Sequence, residues 1–259
     1  MIVDDQIYCL LEYIIVNEIS LDYSKMVNLL DPSNIITRMF NAGKYNEMHN
    51  YCKDLLDKTP NDMVALQNLS LSLIYLKKYS EAIVYCDKVL EIKHSDTYAL
   101  KNKIYALENM KQYEQVLELC EKLLLNNFKD LWALNSMGLS LNELNRHEDA
   151  IEYYDYVLII DPNDITALMN KAISLSHLGN YQDALIYYDR AQIIDPSLKE
   201  ISIAKSHIFK KLNLEDDAFL AAQGVLNKDM EKIKMDAKKN KCSVFHQFCN
   251  EEFKNINSK

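Results

Sequence analysis

The sequence predicts an all-α chain built from helix pairs stacked at a constant stride. The first of three supporting observations is an internal repeat. Residues 131–162 and 165–196, set against each other at an offset of 34, agree at fourteen of thirty-two positions, including Tyr153-Tyr154-Asp155 against Tyr187-Tyr188-Asp189 and Asp161-Pro162 against Asp195-Pro196. Composition alone gives roughly two or three such matches. The second is spacing: Leu168, Ala172 and Leu175, then Ala184, Tyr188 and Ala191, each fall on one face of a short helix. Gly179-Asn180 supplies the turn between these helices and Pro196 the stop. The third is the scarcity of breakers, with four glycines and four prolines in 259 residues.

Residues 1–28 lie ahead of the repeat register. Ile7, Leu10, Leu11, Ile14 and Ile15 share a helical face, which predicts an N-terminal capping segment. The 34-residue ruler then starts repeats at Leu29, Met63, Thr97, Leu131, Ile165 and Lys199 without an insertion, so 29–226 reads as six units. The twentieth position holds Met48, Ala82, Val116, Ala150, Ala184 and Ala218, mostly small residues that let a second helix lie close on its neighbour. The seventeenth holds Tyr45, Tyr79, Tyr113, His147 and Tyr181, rings placed where the second helix begins. Pro60, Pro162 and Pro196 close three of the repeats.

With bulky Leu168, small Ala172, apolar Leu175, Ala184, Tyr188 and Pro196 at these places, residues 165–196 resemble the tetratricopeptide repeat. The resemblance spans about 29–226 and implies a right-handed superhelical solenoid of antiparallel helix pairs. Ile104 stands where the family has a small residue, and Met48 and Val116 replace alanine, so looser packing is expected in the first and third repeats. The repeat that begins at Lys199 lacks the tyrosine and the proline and reads as degenerate. Residues 227–259 read as a C-terminal capping helix and tail, with Val244, Phe245, Phe248 and Cys249 available to cover the last apolar face.

A net charge of −9 argues against nucleic acid as a partner, because phosphate binding needs a basic face. The apolar start of the chain is broken by Glu12, Asn17 and Glu18, too soon for a membrane span, and no basic leader precedes it, so a cytoplasmic location is expected. No phosphate loop, nucleophile elbow or paired-histidine zinc motif is present, which predicts a non-enzyme without cofactor or catalytic residue. Cys52, Cys86 and Cys120 recur at the twenty-fourth position, where later repeats have Tyr154 and Tyr188; they read as small core residues. Cys242, His246 and Cys249 could share one face of a presumed helix, but no fourth ligand accompanies them and no metal site is assigned.

On each first helix, positions 4, 7, 8 and 11 form one stripe, at about 100° per residue, and positions 2, 5, 6, 9 and 13 form the opposite one. In the family the second stripe lines a concave groove. Here it mixes aromatics, aliphatics and amides, where a stripe facing only water would be mostly charged. Asn34, Asn68, Asn102 and Asn170 share its sixth position, with Ser136 in the gap. An amide both donates and accepts, so such a row can pair with the backbone of an extended peptide. The row is similar to the asparagine ladder in the tetratricopeptide array of O-linked N-acetylglucosamine transferase; bridging adjacent helices is its other use. Tyr98, Tyr105 and Trp132 are aromatic anchors in neighbouring repeats, and Lys101, Asn135 and Met169 complete the predicted peptide-binding set. The carboxylate clamp of tetratricopeptide co-chaperones is matched by Lys101 alone; Tyr105, Ser136, Thr166 and Asn170 depart from it. The expected function is a scaffold that binds an extended peptide or a partner helix. The alternatives are a helical-repeat RNA-binding protein, for which Glu108, Glu143 and Glu200 interrupt any phosphate track, and a self-assembling scaffold or co-chaperone. The oligomeric state and the partner's identity stay open.

Overall fold

The computed structural model describes residues 31–257, with side chains through residue 251. The predicted N-terminal cap, 1–28, lies outside the described residues. Fourteen helices and no strand occur among those described: α1 (Pro32–Asn41), α2 (Tyr45–Lys58), α3 (Met63–Tyr75), α4 (Tyr79–Ile92), α5 (Thr97–Asn109), α6 (Tyr113–Asn126), α7 (Leu131–Glu143), α8 (His147–Ile160), α9 (Ile165–His177), α10 (Tyr181–Ile194), α11 (Lys199–Lys211), α12 (Glu215–Ala222), α13 (Asn227–Lys239) and α14 (Val244–Asn257). They fall into two compact units, divided after Met110.

The local chemistry explains the stride. Asp62, Asp96, Asp130 and Asp164, 34 residues apart, each cap a first helix by accepting from the backbone N–H three residues on, of Ala65, Ala99, Ala133 and Ala167. Such a cap contributes about 1 kcal/mol. At Asp96 burial opposes ionisation, but the Ala99 N–H, Gln67 and Lys93 outweigh it and hold the carboxyl below its usual range. Each hairpin turn passes through one residue with positive φ. Gly43 and Gly179 take it at no steric cost, whereas Lys77, Lys111 and Asn145 adopt it at +59°.

In the N-terminal unit, Ile36, Met48, Cys52, Leu69, Leu73 and Ala82 form one buried cluster across α1 to α4. In the C-terminal unit, the small and apolar residues of α9 to α12 form a continuous core with Met230, Ile233 and Ala237 of α13 and Val244 of α14. Met48, Val116 and Ile104, the residues from which looser packing is expected, are all fully buried. The degenerate sixth repeat is visible as α12, of eight residues against fourteen in α10.

The segment after Leu226 forms two helices, not the single one expected. Lys241 adopts φ +53° and Cys242 N–H bonds the Ala237 carbonyl, which closes α13 and turns the chain. Phe245 and Phe248 of α14 pack on Phe219, with ring centroids 5.4 and 5.8 Å away. Cys242 therefore precedes α14 and does not share a helical face with His246 and Cys249.

Candidate functional site: the exposed stripe of the first helices

Burial divides each first helix as its sequence implies. In α3, Leu66, Leu69, Ser70 and Leu73 are buried while Val64 and Tyr75 are exposed; in α5, Leu100, Ile104 and Leu107 are buried while Tyr98 and Tyr105 are exposed. Tyr98 has 74% of its surface in solvent, a large value for a ring. In the C-terminal unit Leu139 of α7 and Ile173 of α9 are exposed at the position equivalent to Tyr105. Trp132 of α7 is half-buried.

The amides divide differently. In the N-terminal unit Asn34 is exposed on α1; Asn68 Nδ2 donates to the Val64 carbonyl at 2.8 Å, and Asn102 Nδ2 donates to Ser70 Oγ of the preceding repeat at 3.1 Å. In the C-terminal unit Asn135 Nδ2 reaches Asp164 Oδ2 at 3.4 Å, while Asn135 Oδ1 is buried without a hydrogen bond. Asn170 is half-buried, and its backbone carbonyl accepts from Ser174 Oγ at 2.9 Å. Met169 packs against the core of its unit, and Lys101 is half-buried on α5. The row thus spends part of its donors between and within helices and keeps the Asn68 and Asn102 carbonyl oxygens as acceptors.

A further set of couples went unread in the sequence. The seventeenth position of one repeat meets the thirteenth of the next, with different chemistry each time. Tyr45 stacks on Tyr75 at 4.5 Å, Tyr113 donates to Glu143 Oε2 at 3.1 Å, His147 stacks on His177 at 4.7 Å, and Lys211 lies 5.8 Å from the Tyr181 ring centre. The recurring Tyr/His at position 17 was the available signal.

The structure offers little nucleophilic chemistry. Burial pushes the Cys52 thiol up to about 12 and the Cys86 thiol up to about 11, so neither forms a thiolate near neutrality. Both are fully buried, as is Cys120. Among the described residues no group of three His, Cys, Asp or Glu side chains is placed to hold a metal ion, and no helix is long and apolar enough to cross a membrane.

Residues 63–94, which comprise α3 and α4, match the family described as Tetratricopeptide repeat. That helix pair is a tetratricopeptide repeat. The fold of the chain is that of known structures. MamA 41-end from Desulfovibrio magneticus RS-1 is 23% identical, covered over 97% of its length by 65% of this chain, with a TM-score of 0.60. The MamA RS-1 ArsTM double mutant is 22% identical, covered over 96% by 64% of this chain, with a TM-score of 0.59. YrrB, whose structure is described as a tetratricopeptide-repeat protein with an unusual peptide-binding site, is 17% identical, covered over 99% by 72% of this chain, with a TM-score of 0.58. No curated protein sequence matches. At these identities the likeness of the tetratricopeptide stack to the solved structures is one of fold.

Proposed function

We propose that this tetratricopeptide-repeat protein is a non-catalytic scaffold that binds an extended peptide, or a partner helix, along the exposed stripe of its first helices. One observation carries the reading: the stripe leaves Val64, Tyr98 and Tyr105 exposed in the N-terminal unit, and Leu139 and Ile173 in the C-terminal unit, on helices whose opposite faces are fully buried. Exposed aromatics on a rigid helix lose little side-chain entropy on binding, which suits them as anchors. The Asn68 and Asn102 acceptors lie in the same stripe, where they can meet peptide N–H groups. Trp132, Asn135, Met169 and Asn170 extend the surface in the C-terminal unit, and Asn34 and Lys101 in the other. The peptide-binding site named for YrrB is in keeping with this use of the fold.

The test is an affinity purification from the source cell, comparing the native protein with a Tyr98→Ser, Tyr105→Ser, Asn102→Ala variant shown to be folded by circular dichroism. All three positions lie in one unit and none is a large buried side chain. The stripe is supported if at least one partner drops about tenfold or more, the effect of losing one anchor's contribution. Retention of every partner removes it from the mechanism.

A further inference from the structure

Three junctions between successive repeats are keyed by a lysine where the repeat pattern calls for an apolar residue. The seventh position of one repeat sends its ammonium to an aspartate sixteen residues earlier, at the twenty-fifth position of the preceding repeat: Lys103 to Asp87, Lys171 to Asp155, and Lys205 to Asp189. The middle version is the most complete. Lys171 Nζ bonds the Asp155 carboxylate, donates to Tyr187 Oη at 2.8 Å and lies 4.4 Å from the centre of the Tyr187 ring. An acid, a phenol and an aromatic face surround one ammonium.

The junction one repeat earlier keeps that frame and lacks its cation. Glu121 stands where Asp155 does, Tyr153 where Tyr187 does, and Met137 replaces the lysine. Met137 is buried and forms the floor of a notch of about 380 Å³, lined by Glu121, Leu124, Leu125 and Tyr153 and open between α6 and α8. Glu121 is exposed and makes no ion pair among the described residues. Its charge reaches the phenol: burial and then Glu121 push the Tyr153 hydroxyl above its ordinary value, so it stays protonated. The lip of the notch is apolar. Leu125, which lines it, is 86% exposed.

The geometry points to a docking notch for a lysine side chain presented by a partner polypeptide. The incoming stem lies along Leu124 and Met137, and its ammonium takes the place of the missing one between Glu121 and Tyr153. An aliphatic residue beside that lysine covers Leu125. The net charge of −9 favours a basic partner. This surface lies on the second helices, so it stands or falls separately from the first-helix stripe.

The test uses the full chain with ¹³C-labelled leucine methyl groups, read by NMR at Leu124 and Leu125. The probes are the capped tripeptide acetyl-Leu-Lys-Leu-amide and its uncharged twin with norleucine in place of lysine. The lysine peptide is expected to shift both leucines saturably and to bind about tenfold tighter than its twin, the worth of one charge-assisted contact. Glu121→Gln, which keeps the shape and drops the charge, should erase that tenfold difference. Met137→Lys should seat its own ammonium in the notch, as Lys171 does, abolish binding and raise the melting temperature. Equal binding of the two peptides, no saturable shift up to about 10 mM, or lysine-peptide binding that survives Met137→Lys would each overturn the proposal. Should Met137→Lys not fold, the Glu121→Gln comparison decides by itself.

Discussion

In the N-terminal unit the eighth position of a repeat holds Ile36 or Ser70, and the twenty-fourth holds Cys52 or Cys86; in the C-terminal unit the same places hold Gly138 or Ala172, and Tyr154 or Tyr188. Ile36–Cys52 and Gly138–Tyr154 fill the gap between paired helices with opposite divisions of volume. Where the second helix brings a thiol, the first can bring a branched side chain. Where it brings a ring, the first must be small, and a Cβ added at Gly138 would lie 2.5 Å from the Tyr154 ring. A large contributor on one helix is met by a small one on the other, as dense packing requires. The cysteine ladder is therefore half of a volume-matched pair, not a set of reactive groups.

The units differ just as sharply in how they bury charge. Lys205 of the C-terminal unit is fully enclosed, with Nζ 2.5 Å from Asp189 Oδ1, 2.9 Å from Gln192 Oε1 and 3.0 Å from the Val225 carbonyl. Asp189 Oδ2 also accepts from Asn227 N–H, and Gln192 donates to the Gly224 carbonyl, so one ammonium ties α10 and α11 to the start of α13. Burial lowers the pKa of Lys205 against the opposing pull of Asp189. Lys103 of the N-terminal unit makes the same pair with Asp87, but both partners keep access to water. Lys205→Met should cost about 3–5 kcal/mol, because it strands a carboxylate and two acceptors, whereas Lys103→Met should cost no more than about 1 kcal/mol. Thermal unfolding of the two variants side by side checks the contrast, and equal shifts in melting temperature would break it.

The volume trade predicts the next largest effect. Gly138→Ala should destabilise by about 1–3 kcal/mol as the Tyr154 ring is driven out of its rotamer, while Ser70→Ala, at the equivalent place opposite Cys86, should stay within about 1 kcal/mol. A Gly138→Ala, Tyr154→Cys double variant borrows the N-terminal unit's solution and should recover part of the loss. Urea midpoints for the three proteins measure this.

The smallest effect depends on pH. Tyr45–Tyr75 and His147–His177 are equivalent stacked pairs, and the second sets two imidazoles where the first sets two phenols. Burial and then the facing His177 lower the pKa of His147, with Glu148 opposing. The unfolded chain therefore binds the proton first as pH falls below the ordinary value of 6.5, and stability drops from there toward the folded-state pKa. Melting temperatures at about pH 7.5 and 5 should differ less in a His147→Tyr, His177→Tyr variant than in the native protein. An identical drop would show that other groups set the pH dependence.

The stride, the helix pairs, the turn at Gly179 and the buried cysteines were legible in the amino-acid sequence alone. Each rests on contacts within one helix or hairpin, and repetition at 34 residues amplified a weak local pattern into a clear one. The single helix expected after Leu226 was wrong because nothing in its composition announces a left-handed lysine at 241. The lysines at 103, 171 and 205 went unread, though an aspartate sixteen residues before each stands in the sequence. Only tertiary structure showed the ammonium satisfied across a junction, the asparagine donors divided between neighbours, and the one junction where the frame for a cation stands without it. A side chain's partner depends on where its tip points once helices are stacked, and a period along the chain carries no information about that direction.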